Sequence, residues 1–155
     1  MQRNDHTVSV KADPAWRIAI IHSSYYPEEV GAMVESAKEA LASAGLPGGN
    51  ISTHAVHGSF EIPLLGSVIA EAGGADAMIG IGVIVEGETG HGSLIADAVA
   101  RGMMDVQIRW QIPFAFEVLY VKSLRDAQIR ASKGAEAAAS VLQSLAEKPK
   151  RNVLL

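Results

Sequence analysis

Apolar residues along this chain fall into two patterns: short unbroken runs, and stripes at three- and four-residue spacing. Arg17-Ile18-Ala19-Ile20-Ile21 is a run and reads as a buried strand. A loop from His22 to Tyr26 is expected next. Pro27 then suits the first turn of a helix, where its missing N–H costs nothing. Val30, Met33, Val34, Ala37, Leu41 and Ala44 recur at helical spacing, so this helix buries one face. Gly45 ends it, and Pro47-Gly48-Gly49 makes a loop. Ile51 to Val56 reads as the second strand, and Leu64, Leu65, Val68, Ile69 and Ala72 mark a second helix stopped by Gly73-Gly74. Ala77 to Val85 is apolar throughout, as a central parallel strand should be. Thr89 is placed to cap a third helix carrying Leu94, Ile95, Ala98, Val99 and Met103. Phe114 to Val121 reads as a fourth strand, and Ser123 is placed to cap a short helix to about Ala131. The last helix, Gly134 to Leu145, is alanine-rich, with Ala138, Val141, Leu142 and Leu145 on one face.

Strand and helix alternate throughout, which predicts an α/β protein: a three-layer α/β/α sandwich on a four-stranded parallel sheet of order 2-1-3-4, flavodoxin-like. No repeat or linker interrupts the order. Residues 1–155 are therefore expected to form a single domain, with 1–14 as an N-terminal arm and 147–155 as a tail. Apolar residues make up 48% of the chain, too many for disorder. Gly or charge breaks every apolar run well short of the ~20 residues that span a bilayer, and the polar N-terminus lacks a signal-peptide core. No membrane contact is expected. The absence of cysteine excludes disulfides and thiolate metal sites and fits a cytoplasmic protein. A formal charge of -4 argues against a nucleic-acid binder. The basic stretch Lys148-Pro149-Lys150-Arg151 reads as a solvated terminus.

Two glycine-rich turns mark where chemistry belongs. The second strand runs into His57-Gly58-Ser59-Phe60-Glu61-Ile62-Pro63, and the third into Glu86-Gly87-Glu88-Thr89-Gly90-His91. In open parallel sheets, ligands sit beyond the carboxyl ends of the strands. The Gly87–Gly90 turn leads into a helix N-terminus, which favours an anion, although Glu86 and Glu88 oppose one. An ordinary strand–helix turn is the plain alternative. His91 lies in the first helical turn, where the dipole favours neutral imidazole, the form a general base needs. A surface histidine is the alternative there. His57 sits in the other turn and is placed to share the pocket; scattered histidines without cysteine give no metal site. Tyr25 and Tyr26 follow the first strand, where a ring either stacks on a flat heterocycle or lids the core. Glu61 is stabilised by its helix dipole with or without a ligand. Arg130 and Lys133 are the cations closest in sequence to an anion site, or else routine dipole partners of helix ends.

Together these residues resemble the lumazine synthase family of riboflavin biosynthesis, over about residues 16–146. The family's Pro-Gly-Ala/Ser-Phe-Glu-Ile-Pro is similar to His57–Pro63, and its Gly-x-Val-Ile-Arg-Gly-x-Thr-x-His to Gly82–His91, with a one-residue offset in the hydrophobic part. Its Pro-x-x-Phe-x-Val-Leu strand matches Pro113 to Leu119, and its Arg followed by Asn-Lys-Gly matches Arg130 and Ser132-Lys133-Gly134. The resemblance implies condensation of 5-amino-6-ribitylaminouracil with 3,4-dihydroxy-2-butanone 4-phosphate, with no cofactor and no metal. Carried over, Tyr25 stacks on the pyrimidine, Ser59, Phe60 and Glu61 hold the ribityl chain and ring, and Val83 and Ile84 offer backbone groups. Gly87, Glu88 and Thr89 with Arg130 bind the phosphate, and His91 shuttles protons. Phe116, Arg130 and Lys133 are implied to come from a neighbouring subunit of a homo-pentamer.

The chain departs from the family pattern at His57 for proline, Glu86 for arginine, Gly92-Ser93 for an aromatic–aspartate pair and Glu117 for a small residue. It also has a shortened link between Arg130 and Lys133. That link favours a 60-mer shell over a free pentamer, by resemblance alone. Apolar residues on more than one face of the third helix, Leu94, Ile95, Ala98, Val99, Met103 and Met104, also point to a neighbour. Val8 and Val10 alternate as if the arm added a strand to an adjacent sheet edge. A non-catalytic flavin- or lumazine-binding homologue, or one that only builds shells, is the alternative of a different class; a flavodoxin or phospho-receiver is disfavoured by the first loop and by the absence of a strand-end aspartate.

Overall fold

A computed structural model of the protein describes residues 10–148. Strands β1 (Ile18–Ser23), β2 (Ile51–Val56), β3 (Ala77–Val85) and β4 (Phe114–Val121) form one sheet of order β2-β1-β3-β4. Every pairing is parallel. The helices are α1 (Pro27–Ser43), α2 (Ile62–Glu71), α3 (His91–Trp110), α4 (Leu124–Gln128) and α5 (Lys133–Glu147). Short 3-10 turns, Gly48–Asn50 and Ser59–Glu61, lead into β2 and α2. This is the expected three-layer α/β fold.

Successive strand residues point to opposite faces, so one strand feeds two cores. Ile18, Ile20, Ile79 and Ile81 meet Met33, Leu41, Ala138 and Val141 of α1 and α5 on one side. Ala19, Ile21 and Met78 meet Ile62, Val99 and Met103 of α2 and α3 on the other. β1 and most of β3 are buried on both faces, which explains their unbroken apolar runs; β2 and β4 are edges and mix buried or half-buried with exposed positions. Among the described residues no helix is long and apolar enough to cross a membrane.

Several local expectations change. β1 continues through His22 and Ser23, which pair with Ala55 and Val56, where a loop was expected. Gly90, at φ +70°, occupies the N-cap of α3 in place of Thr89, whose hydroxyl only reaches the His91 N–H at 3.4 Å. Ser123 stands at the N-cap of α4 without a side-chain bond, and α4 stops at Gln128. α2 turns Ile62, Gly66 and Ala70 inward and leaves Leu64 and Val68 exposed. Val8 lies outside the described residues. Val10 packs against its own chain's core and Ala12 donates to the Ala44 carbonyl (2.8 Å), so this part of the arm forms no strand.

Candidate functional site

The exits of β1 and β2 are stitched together. Ser24 donates through its hydroxyl to the Val56 carbonyl (2.6 Å), and Ser23 Oγ accepts from the Tyr25 N–H (3.1 Å). Tyr25 is 54% exposed and Phe60 62%, so two rings stand open at the strand ends. Glu61 closes its own turn: the Gly58 N–H donates to Glu61 Oε1 (3.1 Å), and the Glu61 N–H returns to the Gly58 carbonyl (3.1 Å). Ser59 is buried against Gly82 of β3. Its side chain therefore packs the turn closely against the sheet where Gly82 leaves room, while Phe60 and Tyr25 face outward.

At the exit of β3, Val83 is buried and Ile84 half-buried. The Glu86 N–H donates to the Val121 carbonyl (2.7 Å), which anchors the start of the turn to β4. Gly87, Glu88, Thr89 and His91 are all exposed. α3 runs from His91 to Trp110, long enough to set up a full positive end at this turn. First-turn N–H groups, the Thr89 hydroxyl and the His91 ring thus occupy one short stretch of surface.

A second group gathers around β4 and α5. Phe116 is half-exposed and shares the α3-facing side of β4 with Phe114 and Val118. Glu117 faces the other way, toward α5. Burial pushes its carboxyl up to about 7, with Lys133 acting against that rise and Glu136 adding to it. Lys133 pairs with Glu136 (Nζ–Oε2 2.9 Å), and this hydrogen bond holds its ammonium above the ordinary lysine range. The Lys133 N–H donates to the Arg130 carbonyl (3.0 Å), and Arg130 itself is exposed with no ion pair among the described residues.

Tyr25, Ser59, Phe60, Glu61, Val83, Ile84, Gly87, Glu88, Thr89 and His91 therefore all sit at the carboxyl edge of β1 to β3. Arg130 and Lys133 follow β4, and Phe116 lies within it. Sequence reasoning missed Tyr120. It is half-exposed on β4, and desolvation together with the charge of the nearby Glu86 carboxylate raises its phenol above the ordinary range. Gly92 is what admits the ring: a Cβ there would stand 3.2 Å from Tyr120 Cε2 and 3.0 Å from Ile84 Cγ2. Two positions outside the expected motif pattern, Gly92 and Tyr120, thus pack together beside the His91 turn. Strand alternation two residues beyond Val118 is the signal that places Tyr120 on the same face and went unused.

The arrangement provides rings for a flat heterocycle, a carboxylate in a fixed turn, a helix N-terminus for an anion, and an imidazole. Residues 15–148 match the family model described as 6,7-dimethyl-8-ribityllumazine synthase. Curated proteins named 6,7-dimethyl-8-ribityllumazine synthase from Xylella fastidiosa strains M12 and M23 are each 36% identical over 139 residues, covering 85% of this chain and 90% of theirs.

Proposed function

We propose, on the premise that the chain belongs to the 6,7-dimethyl-8-ribityllumazine synthase family, that it condenses 5-amino-6-ribitylaminouracil with 3,4-dihydroxy-2-butanone 4-phosphate. The supporting observation is the strand-end cluster, in which Tyr25 stands at the exit of β1, Phe60 and Glu61 at the exit of β2, and the His91-led helix N-terminus at the exit of β3. In this mechanism the pyrimidine stacks on Tyr25, and Ser59, Phe60 and Glu61 hold its ring and ribityl chain. Val83 and Ile84 meet it through the backbone. The phosphate lies at the Gly87-Glu88-Thr89 turn, where Arg130 offsets Glu86 and Glu88.

The substrate amine attacks the ketone carbonyl, and loss of water gives an imine. Phosphate then leaves, and the second nitrogen closes the ring with loss of another water. His91 moves the protons between nitrogen and oxygen. Amines and ketones already react in water, so holding the two together supplies most of the acceleration, up to several kcal/mol. Proton transfer by His91 adds roughly 10²-fold. Mixing both substrates with the protein and following lumazine absorbance tests this; a rate equal to the protein-free blank would refute it.

Residues 1–155 are taken as one domain, in a cytoplasmic setting that suits a cysteine-free chain. Phe116, Arg130 and Lys133 are assigned to the neighbouring subunit of a homo-pentamer, which the shortened Arg130–Lys133 link extends to a 60-mer shell. Supporting the association, Leu94, Met104 and Ile108 on α3 are 67%, 50% and 66% exposed. Light scattering distinguishes the cases: a mass of 16.3 kDa would exclude a shared site, and a pentamer mass would exclude only the shell.

A further inference from the structure

Tyr26 adopts a left-handed backbone, φ 52° and ψ 60°, one of two non-glycine residues with positive φ among the described residues. That conformation is uncommon for a bulky aromatic and persists only where the surroundings enforce it. Here they do: the Tyr26 ring packs against the α1 side of the core, and its carbonyl accepts the Val30 N–H of α1 (3.0 Å). The sharp turn sends the preceding residue, Tyr25, across the end of β1 toward the exit of β2.

Two neighbours on that exit then fix the Tyr25 ring. It lies on the face of Gly58, where a Cβ would stand 3.3 Å from Tyr25 Cε2. Its hydroxyl meets His57 Nε2 at 3.5 Å, with the two rings edge to face at 81° and their centroids 5.5 Å apart. His57 and Tyr25 are both exposed, and neither belongs to a core cluster. Their contact therefore lies outside both hydrophobic cores. Without it, a half-exposed tyrosine would sample several rotamers.

We propose that His57 is a positioning residue which, with Gly58, holds the Tyr25 ring in one orientation and thereby sets the affinity for the flat heterocyclic substrate. This rests on the assignment of Tyr25 as the stacking residue. His57 touches neither reacting carbon nor phosphate; it acts through Tyr25 by pre-organisation.

The test is steady-state kinetics on the assembled protein, each substrate varied with the other saturating. Tyr25→Ala raises the KM for the pyrimidine if the stacking assignment holds. His57→Ala raises the same KM roughly 3- to 10-fold, the loss expected of one weak hydrogen bond and one edge-to-face contact. The KM for the four-carbon phosphate, kcat and the melting temperature stay near wild type. His57→Gln restores most of the affinity by returning a polar partner to the Tyr25 hydroxyl. On a Tyr25→Phe background, His57→Ala adds less than it does in the wild type. An unchanged pyrimidine KM in His57→Ala, with Tyr25→Ala impaired, overturns the role of His57 and leaves the stacking assignment standing. An unchanged KM in Tyr25→Ala overturns both. A parallel loss of kcat, both KM values and thermal stability in His57→Ala makes it a structural residue and also overturns the proposal.

Discussion

Replacing Gly134 with alanine should loosen the whole α1–α5 layer. Gly134 is the second residue of α5 and is fully buried against α1. A Cβ there would overlap the Met33 carbonyl oxygen and stand 2.8 Å from the Met33 carbonyl carbon and 3.0 Å from the Ala37 nitrogen. These are backbone atoms of a helix interior, so no side-chain rotation relieves the clash; one helix must move. Moving it opens the contacts among Met33, Ala37, Ala138 and Val141, and pulls on the bond from the Ala135 N–H to Ser36 Oγ (3.1 Å). Overpacking relieved by side chains costs about 1–3 kcal/mol; a clash against backbone belongs at or above the top of that range, about 3 kcal/mol. That corresponds to roughly 100-fold in the folded-to-unfolded ratio and a melting temperature lower by on the order of 10 °C. Gly31→Ala in α1 is the matched control: nothing lies within 4 Å of its added Cβ, so it should be neutral or stabilising by about 0.5–1 kcal/mol. Urea or thermal unfolding at fixed protein concentration measures both. Equal stability of Gly134→Ala and the wild type would refute the close helix approach.

Arg130→Ala should raise the KM for the phosphate substrate far more than that for the pyrimidine, by about 1.5–3 kcal/mol of lost charged hydrogen bonding; an unchanged phosphate KM removes Arg130 from the anion site. His91→Ala should lower kcat on the order of 10²-fold with modest changes in KM, and wild-type turnover in that variant removes His91 from the mechanism. The Glu117 carboxyl titrates at about 7 in the folded chain, above its ordinary 4.5. Between those values the folded protein holds a proton that the unfolded chain has released, so wild-type stability falls as pH rises through this window. Glu117→Gln abolishes that loss, and its stability relative to wild type should improve by roughly 1 kcal/mol from pH 5 to pH 8, after solvent screening. Melting curves at the two pH values check this, and a constant gap contradicts it.

The fold was legible because its central strands are buried on both faces. Ile51–Val56, Ala77–Val85 and Phe114–Val121 coincide with the expected strands, and Pro27 opens α1 as its chemistry requires. Periodicity failed where apolar residues face outward. Leu64 and Val68 mark a helix by spacing, yet Gly66 and Ala70 are its inward face. Caps failed where glycine or backbone bonds took over, at Gly90 and around Ser123. Of the candidate site, the turn residues from Tyr25 to His91 could be listed from motifs, since glycine and strand ends mark them. The left-handed turn at Tyr26, the Tyr25–His57 contact and the packing of Tyr120 on Gly92 could not, because they depend on groups brought together across the fold.

The most direct test of a site built by two subunits is complementation. His91→Ala and Arg130→Ala variants, the second strongly impaired when the phosphate substrate is held well below its KM, are dissociated, mixed in equal amounts and reassembled, and lumazine formation under that condition is compared with each variant treated alone. With His91 and Arg130 contributed by different subunits, random mixing leaves about one site in four with both residues intact, so activity should recover to about a quarter of the wild-type level. Activity of the mixture no higher than that of the separate variants, with mixed assembly demonstrated, would contradict the shared site.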